Sequence, residues 1–226
     1  MRKAIFLLAI YCLGNHYSYA QDLTVINVPD PSSPGDSIAC GAEGSEKSDS
    51  HVKNAHLAWV GNPFKNRFDV PDVSAISVYN INNLIASDAD KNKFTEGVAV
   101  QVTAYVYSVV PGGIESCNCK TKNAAFKDTH IELTPNSRDT GKQYIMIVEI
   151  TPRMRELMAE TGVDWSTKAI KKKYMHHTVT VQGWLFYDEE HEPQAFSTTP
   201  GNAGDWRASC WEIHPVTSIG FASGDQ

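Results

Sequence analysis

The chain has 226 residues, with 20 Lys and Arg against 26 Asp and Glu and a formal charge of −6. That acidity argues against generic nucleic-acid binding, which rests on Lys and Arg contacts to phosphate. The composition is otherwise that of an ordinary globular domain and excludes a fibrous or low-complexity chain.

Arg2 and Lys3 precede an apolar run from Ala4 to Leu13, and Ser18-Tyr19-Ala20 follows. A charged start, an apolar middle and a small-residue end read as a secretory signal peptide at 1–20, with cleavage predicted after Ala20. The run is too short to cross a bilayer as a helix, and no later stretch reads as a membrane span. The mature chain is therefore expected in the periplasm or outside the cell. Losing residues 1–20 removes two basic residues and no acidic one, which leaves −8. Four Cys remain, Cys40, Cys117, Cys119 and Cys210. An even count in an exported chain favours disulfides. Three pairings satisfy it, although a bond between Cys117 and Cys119, only two apart, would be strained.

Residues 21–50 are rich in Pro, Ser, Gly and Asp and read as a flexible leader. Residues 51–96 carry scattered apolar anchors (Leu57, Trp59, Val60, Phe64, Phe68) around the basic Lys65-Asn66-Arg67, which Pro63 and Pro71 bracket. This segment is expected to be irregular or partly helical and to pack on the domain that follows. From residue 97 the pattern becomes regular. Val98 to Tyr107 is dense in β-branched and aromatic residues and predicts a first strand. A second strand follows an insertion and resumes at Thr129–Leu133. Tyr144 to Ile150 is a third. Thr151 caps, and Pro152 opens, a helix with Met154, Leu157 and Met158 on its apolar stripe. A second helical piece runs to Tyr174. The fourth strand is Thr178–Tyr187, a long loop spans 188–209, and the fifth strand is Cys210–Ile219, before a tail at 221–226.

Three strands, a helical segment and two strands is the chain order of an OB-fold, a small closed barrel. The predicted fold class is thus mainly β, a five-stranded OB-fold-like barrel over 97–220 with its helical segment between strands 3 and 4, behind an irregular N-terminal leader.

Several stretches carry a resemblance: Glu115-Ser116-Cys117-Asn118-Cys119, Asp128-Thr129-His130-Ile131-Glu132-Leu133, Thr151-Pro152-Arg153-Met154-Arg155, Gly183-Trp184-Leu185-Phe186-Tyr187-Asp188 with His191, and Trp211-Glu212-Ile213-His214-Pro215-Val216. Together they resemble a family of uncharacterised exported bacterial OB-fold-like proteins that carry the Trp-Glu-Ile-His-Pro-Val motif. The resemblance spans about 97–220 and implies fold and export rather than an activity. The micrococcal-type nuclease is also a secreted OB-fold, but its Asp and Arg motif is missing here, so that likeness is one of fold alone.

Two strands each set an imidazole and acids on one face by period two: Asp128, His130 and Glu132 on the second, Glu212 and His214 on the last. Imidazole with carboxylates suits a divalent metal ion. With His191, these five residues are the candidate metal ligands. The bland alternative is a wet outer strand face. The third strand lies between the two, which argues against one shared site. The long loop, where ligand contacts of this fold gather, offers Asp188, His191, Trp206 and Arg207 as ligand-binding candidates. Arg207 can clamp a carboxylate or phosphate, or simply pair with Asp205 or Glu212. His130, His191, Arg207 and His214 are the candidates for catalysis, while no serine-hydrolase elbow, phosphate loop or zinc-protease motif is present. Two functions follow. The first is an exported binding module for a small molecule, a glycan or an envelope partner. The second is a divalent-metal-dependent hydrolase of the phosphodiesterase or nuclease type.

Overall fold

The computed structural model describes residues 25–30, 32–33, 35–46 and 53–224. The expected signal peptide lies outside them. No helix among the described residues is long and apolar enough to cross a membrane.

Five strands form the barrel: β4 (Ala99–Pro111), β5 (Thr129–Thr134), β6 (Met146–Ile150), β7 (Thr178–Tyr187) and β8 (Trp211–Phe221). Their spatial order is β4-β5-β6-β8-β7, and β7 pairs back onto β4 to close the sheet. All pairings in the ring are antiparallel except β6 with β8. A five-stranded barrel was the expectation, and helices α3 (Pro152–Glu160) and α4 (Thr167–Tyr174) occupy the predicted place between its third and fourth strands. Thr151 accepts from the Met154 amide and Pro152 opens α3, as the sequence implies. The barrel interior is filled by inward residues such as Val102, Ile131, Val148, Leu185, Trp211 and Ile213. At Gly183 a Cβ would collide with the Pro215 carbonyl, so only glycine lets β7 and β8 approach this closely.

The N-terminal half departs from expectation. Part of the predicted flexible leader is a hairpin, β1 (Ile26–Pro29) with β2 (Ser37–Cys40). A disulfide from Cys40 to Cys119 ties it to the barrel insertion. The stretch read as irregular or partly helical contains a helix of 13 residues, α1 (Lys53–Lys65). Pro63 and Gly61 hide it from propensity reasoning, and tertiary packing sustains it. α1 packs on β8 and on the short turns Ser116–Asn118 and Glu189–Gln194, with Phe64 stacked 6.2 Å from Phe186 of β7. Beyond it lie β3 (Ser77–Val78), which extends the sheet beside β4, and one turn of helix, α2 (Ile81–Leu84).

α1 therefore covers the outer face of the barrel where β7 and β8 run. That overturns the wet-face expectation. β8 is buried on both sides from Trp211 to Thr217, so Glu212 and His214 are as enclosed as Trp211 and Ile213.

Trp211 sits edge-on to Tyr187 and Phe94 at 5.0 and 5.4 Å, and its Nε1 donates to the Asp90 carbonyl. Trp211→Ala is expected to cost about 3–5 kcal/mol in urea melts, through the cavity it leaves. Replacing Cys40 and Cys119 together by Ser frees a loop whose ends are 79 residues apart. A loss of about 2–5 kcal/mol is expected by the same measurement.

Candidate functional site

The enclosed outer face is built by strand alternation. Once Trp211 and Ile213 point inward, Glu212 and His214 must point outward beneath α1. The same rule sets Asp128 and His130 outward at the start of β5, and Glu149 outward on β6. His130 and Glu149 are direct cross-strand partners. The intervening strand, which argued against a shared site, is instead its bridge. One Glu149 oxygen lies 2.8 Å from His130 Nδ1 and the other 3.2 Å from His214 Nδ1. His214 Nδ1 also lies 3.3 Å from Glu212 Oε1.

The long loop completes the outer part. Asp188 Oδ2 holds His191 Nδ1 at 2.8 Å. The Trp206 ring lies between the two outer imidazoles, 5.7 Å from His130 and 5.5 Å from His191, and is fixed by its Nε1 bond to Gln194. Arg207 is buried. Its Nε donates to the Ser209 carbonyl at 2.7 Å and its Nη2 to Glu212 at 3.1 Å. Of the two pairings foreseen for it, the one with Glu212 forms. Lys65, at the C-terminal end of α1, reaches Glu115 and Asp188 at 3.2 Å each. A cavity of about 290 Å³ opens among His130, Glu149, Asp188, His191, Trp206, Arg207 and Glu212.

Most of the predicted residues therefore converge. Asp188, His130, His191, Trp206, Arg207 and Glu212 line the cavity, and Asp128 and His214 lie behind Glu149. Glu132 does not join. It sits one repeat further along β5, opposite Ile147 and half-buried, outside the donor groups that could hold an ion. Sequence reasoning missed Glu149, Glu115 and Lys65. A signal for Glu149 was present: a single acid inside the apolar run Met146-Ile147-Val148-Glu149-Ile150, where an unpartnered charge would be costly.

The cysteines divide differently from expectation. Cys117 and Cys210 are free and buried. Cys210 packs in the barrel core rather than pinning the last strand by a disulfide. Cys117 sits in the cluster, its Sγ 3.6 Å from Glu115 and 3.7 Å from Asp128. Burial and the neighbouring carboxylates push its thiol well up, which keeps it protonated and unreactive.

Five carboxylates share this enclosed space with two firmly held cations, and their protonation divides. Burial drives Asp188 up, but Lys65, then His191 and Arg207, pull it well below the usual carboxylate range. Glu115 and Glu212 are likewise lowered against the effect of burial, by Lys65 and Arg207 respectively. Glu149 goes the other way. Burial, then Glu115, Asp128 and Glu212, hold it well above the usual range. Asp128 is raised by burial, partly offset by His214. Burial and then Arg207 depress His130 to about 4. At neutral pH the site therefore holds a neutral imidazole, a neutral carboxylic acid and anchored carboxylates within one cavity wall. Divergent pKa values of this kind gather at working sites.

Comparison with family models, with curated proteins and with solved structures finds no match for the chain.

The His130 shift has a consequence for stability. The unfolded chain binds this proton with an ordinary pKa near 6.5 and the folded chain only near 4. The stability is thus complete above about 6.5 and is lost as pH falls through about 4. Urea melts at pH 7, 5.5 and 4.5 are expected to show this decline in the parent chain and a shallower one in His130→Gln.

Proposed function

We propose that this protein is an exported hydrolase that uses acid–base chemistry on a small polar ester or phosphodiester held against Trp206. The observation that carries the reading is a pair of imidazoles on one cavity wall, each with Nδ1 engaged by a buried carboxyl group. His130 is held by Glu149 and His191 by Asp188. A carboxyl group on Nδ1 fixes the ring and leaves Nε2 for proton transfer. One imidazole takes the proton from an attacking water. The other returns a proton to the leaving oxygen. Arg207, locked by Ser209 and Glu212, supplies positive potential beside the cavity without needing to reorganise. Water is the nucleophile this arrangement favours, because Cys117, the thiol of the cluster, is buried and held protonated. The surplus of carboxylates also suits a divalent ion, which lowers the pKa of bound water. Export is supported by the signal-like start of the chain and by the Cys40–Cys119 disulfide, which belongs in an oxidising compartment.

A panel of nitrophenyl esters and phosphodiesters, assayed with and without added zinc or manganese, tests the reading. His191→Ala and His130→Ala are each expected to lower kcat by about 10²–10⁴-fold. His191 is partly exposed, so its variant should keep the parent thermal midpoint. Full activity in both variants would sink the acid–base roles.

A binding module is the second reading, favoured by Trp206 standing as an aromatic wall of the cavity. Thermal shifts with glycans or cell-wall fragments, in a protein that turns over nothing in the panel, would select it instead.

A further inference from the structure

We propose that Asp128, Glu149 and His214 bind a zinc-type divalent metal ion in the closed space behind the cavity. One donor atom from each of the three residues lies within 4.8 Å of the others, and all three side chains are buried.

Carboxylates crowded together do not make a metal site by themselves. The atoms left without partners do. His214 Nδ1 faces the Glu212 and Glu149 carboxyl groups at 3.3 and 3.2 Å. Arg207 Nη2 donates to the other Glu212 oxygen, which leaves Glu212 Oε1 to accept from Nδ1–H. Nε2 is then left with a lone pair. It is buried, has no hydrogen-bond partner, and lies 3.9 Å from Asp128 Oδ2. The other Asp128 oxygen, Oδ1, is also buried without a partner. Asn118 Nδ2 and the Cys117 thiol hold Asp128 Oδ2 in place. His214 Nε2 and Asp128 Oδ1 are thus buried atoms without partners on two neighbouring side chains, and every such atom costs free energy unless something satisfies it. A cation satisfies both.

The surroundings agree with that choice. A histidine that ligates through one nitrogen and donates the other to a carboxylate is the usual outer-sphere arrangement at zinc, and Glu212 fills that role. Zinc bonds near 2.0–2.3 Å put tetrahedral donors about 3.3–3.7 Å apart, so the observed separations need only small adjustments. An imidazole among the donors favours zinc over magnesium or calcium. Two added charges also offset the excess of carboxylates over Lys65 and Arg207. The proposal rests on these unpartnered atoms and not on the hydrolase reading.

The test uses the full chain, stripped with chelator, then given zinc and passed through a desalting column. Metal analysis is expected to find one zinc per folded chain, with a raised thermal midpoint. Asp128→Asn, Glu149→Gln and His214→Gln keep side-chain size and should each hold zinc in fewer than about one chain in five, because ligand loss weakens a site strongly. Circular dichroism identifies which of the three are folded, and those are the ones scored. Glu132→Gln, on the same strand but outside the group, should bind like the parent. Absence of zinc from the folded parent chain, or full binding in any folded ligand variant, overturns the proposal. His191→Ala should keep its zinc while losing hydrolysis, so the two readings fail separately.

Discussion

The structure depends on one enclosed set of charges. Asp128, Glu149, Glu212, Glu115 and Asp188 are gathered with Lys65 and Arg207 on the outer barrel face beneath α1. Ionising all five carboxylates there would leave more negative charge than the two cations can neutralise, and each unpaired buried ion costs several kcal/mol. The fold answers by dividing the group. Lys65 keeps Asp188 and Glu115 ionised, and Arg207 keeps Glu212 ionised. Glu149 and Asp128 lie furthest from those cations in bonding terms, and both are raised. The neutral state of His130 at pH 7 follows from its burial and from the nearby Arg207. Lys65 at the end of α1 and Arg207 in the long loop together decide which carboxylates of the group stay ionised.

The barrel was legible because alternation repeats over long strands. β4, β5, β6, β7 and β8 each carry inward apolar residues at period two, and the capping signal at Thr151-Pro152 marks where the helices interrupt them. Alternation also places Asp128, His130, Glu212 and His214 on the outward side. Whether that outward side meets water is decided elsewhere in the chain, by α1. Gly61 and Pro63 give α1 poor helix propensity, and it exists because Phe64 and its neighbours pack on Phe186. No local pattern in the strands reveals a cover supplied from residues 53–65. Hence the site residues were found, while their burial was not.

Glu149 shows the same limit from the opposite direction. Its strand reads as fully apolar apart from one acid, and only register reveals that this acid stands opposite His130 and between β5 and β8. Register is a property of paired strands. It is fixed by long-range contacts such as the Ile131–Val148 and Val148–Ile213 pairs, not by any short window of sequence.

The N-terminal third is therefore part of the site and not a tether. Asn66, just past α1, donates to the carbonyls of Ala42 and Cys117, and its side-chain oxygen accepts from Arg153 of α3. Arg153 also donates to the carbonyls of Cys40 and Gly41. Asn62 adds bonds to the Glu43 carbonyl and to Ser116. The hairpin, α1 and α3 thus meet at the insertion between β4 and β5, where the Cys40–Cys119 disulfide closes the same junction covalently. That insertion carries Glu115, Cys117 and Asn118, which fix Lys65 and Asp128. A bare barrel beginning at residue 97 would keep its strand order but lose Lys65. It would open Glu212 and His214 to water, and the Glu212 carboxyl would return toward its ordinary range. The chemistry of the site belongs to the barrel and its cover together.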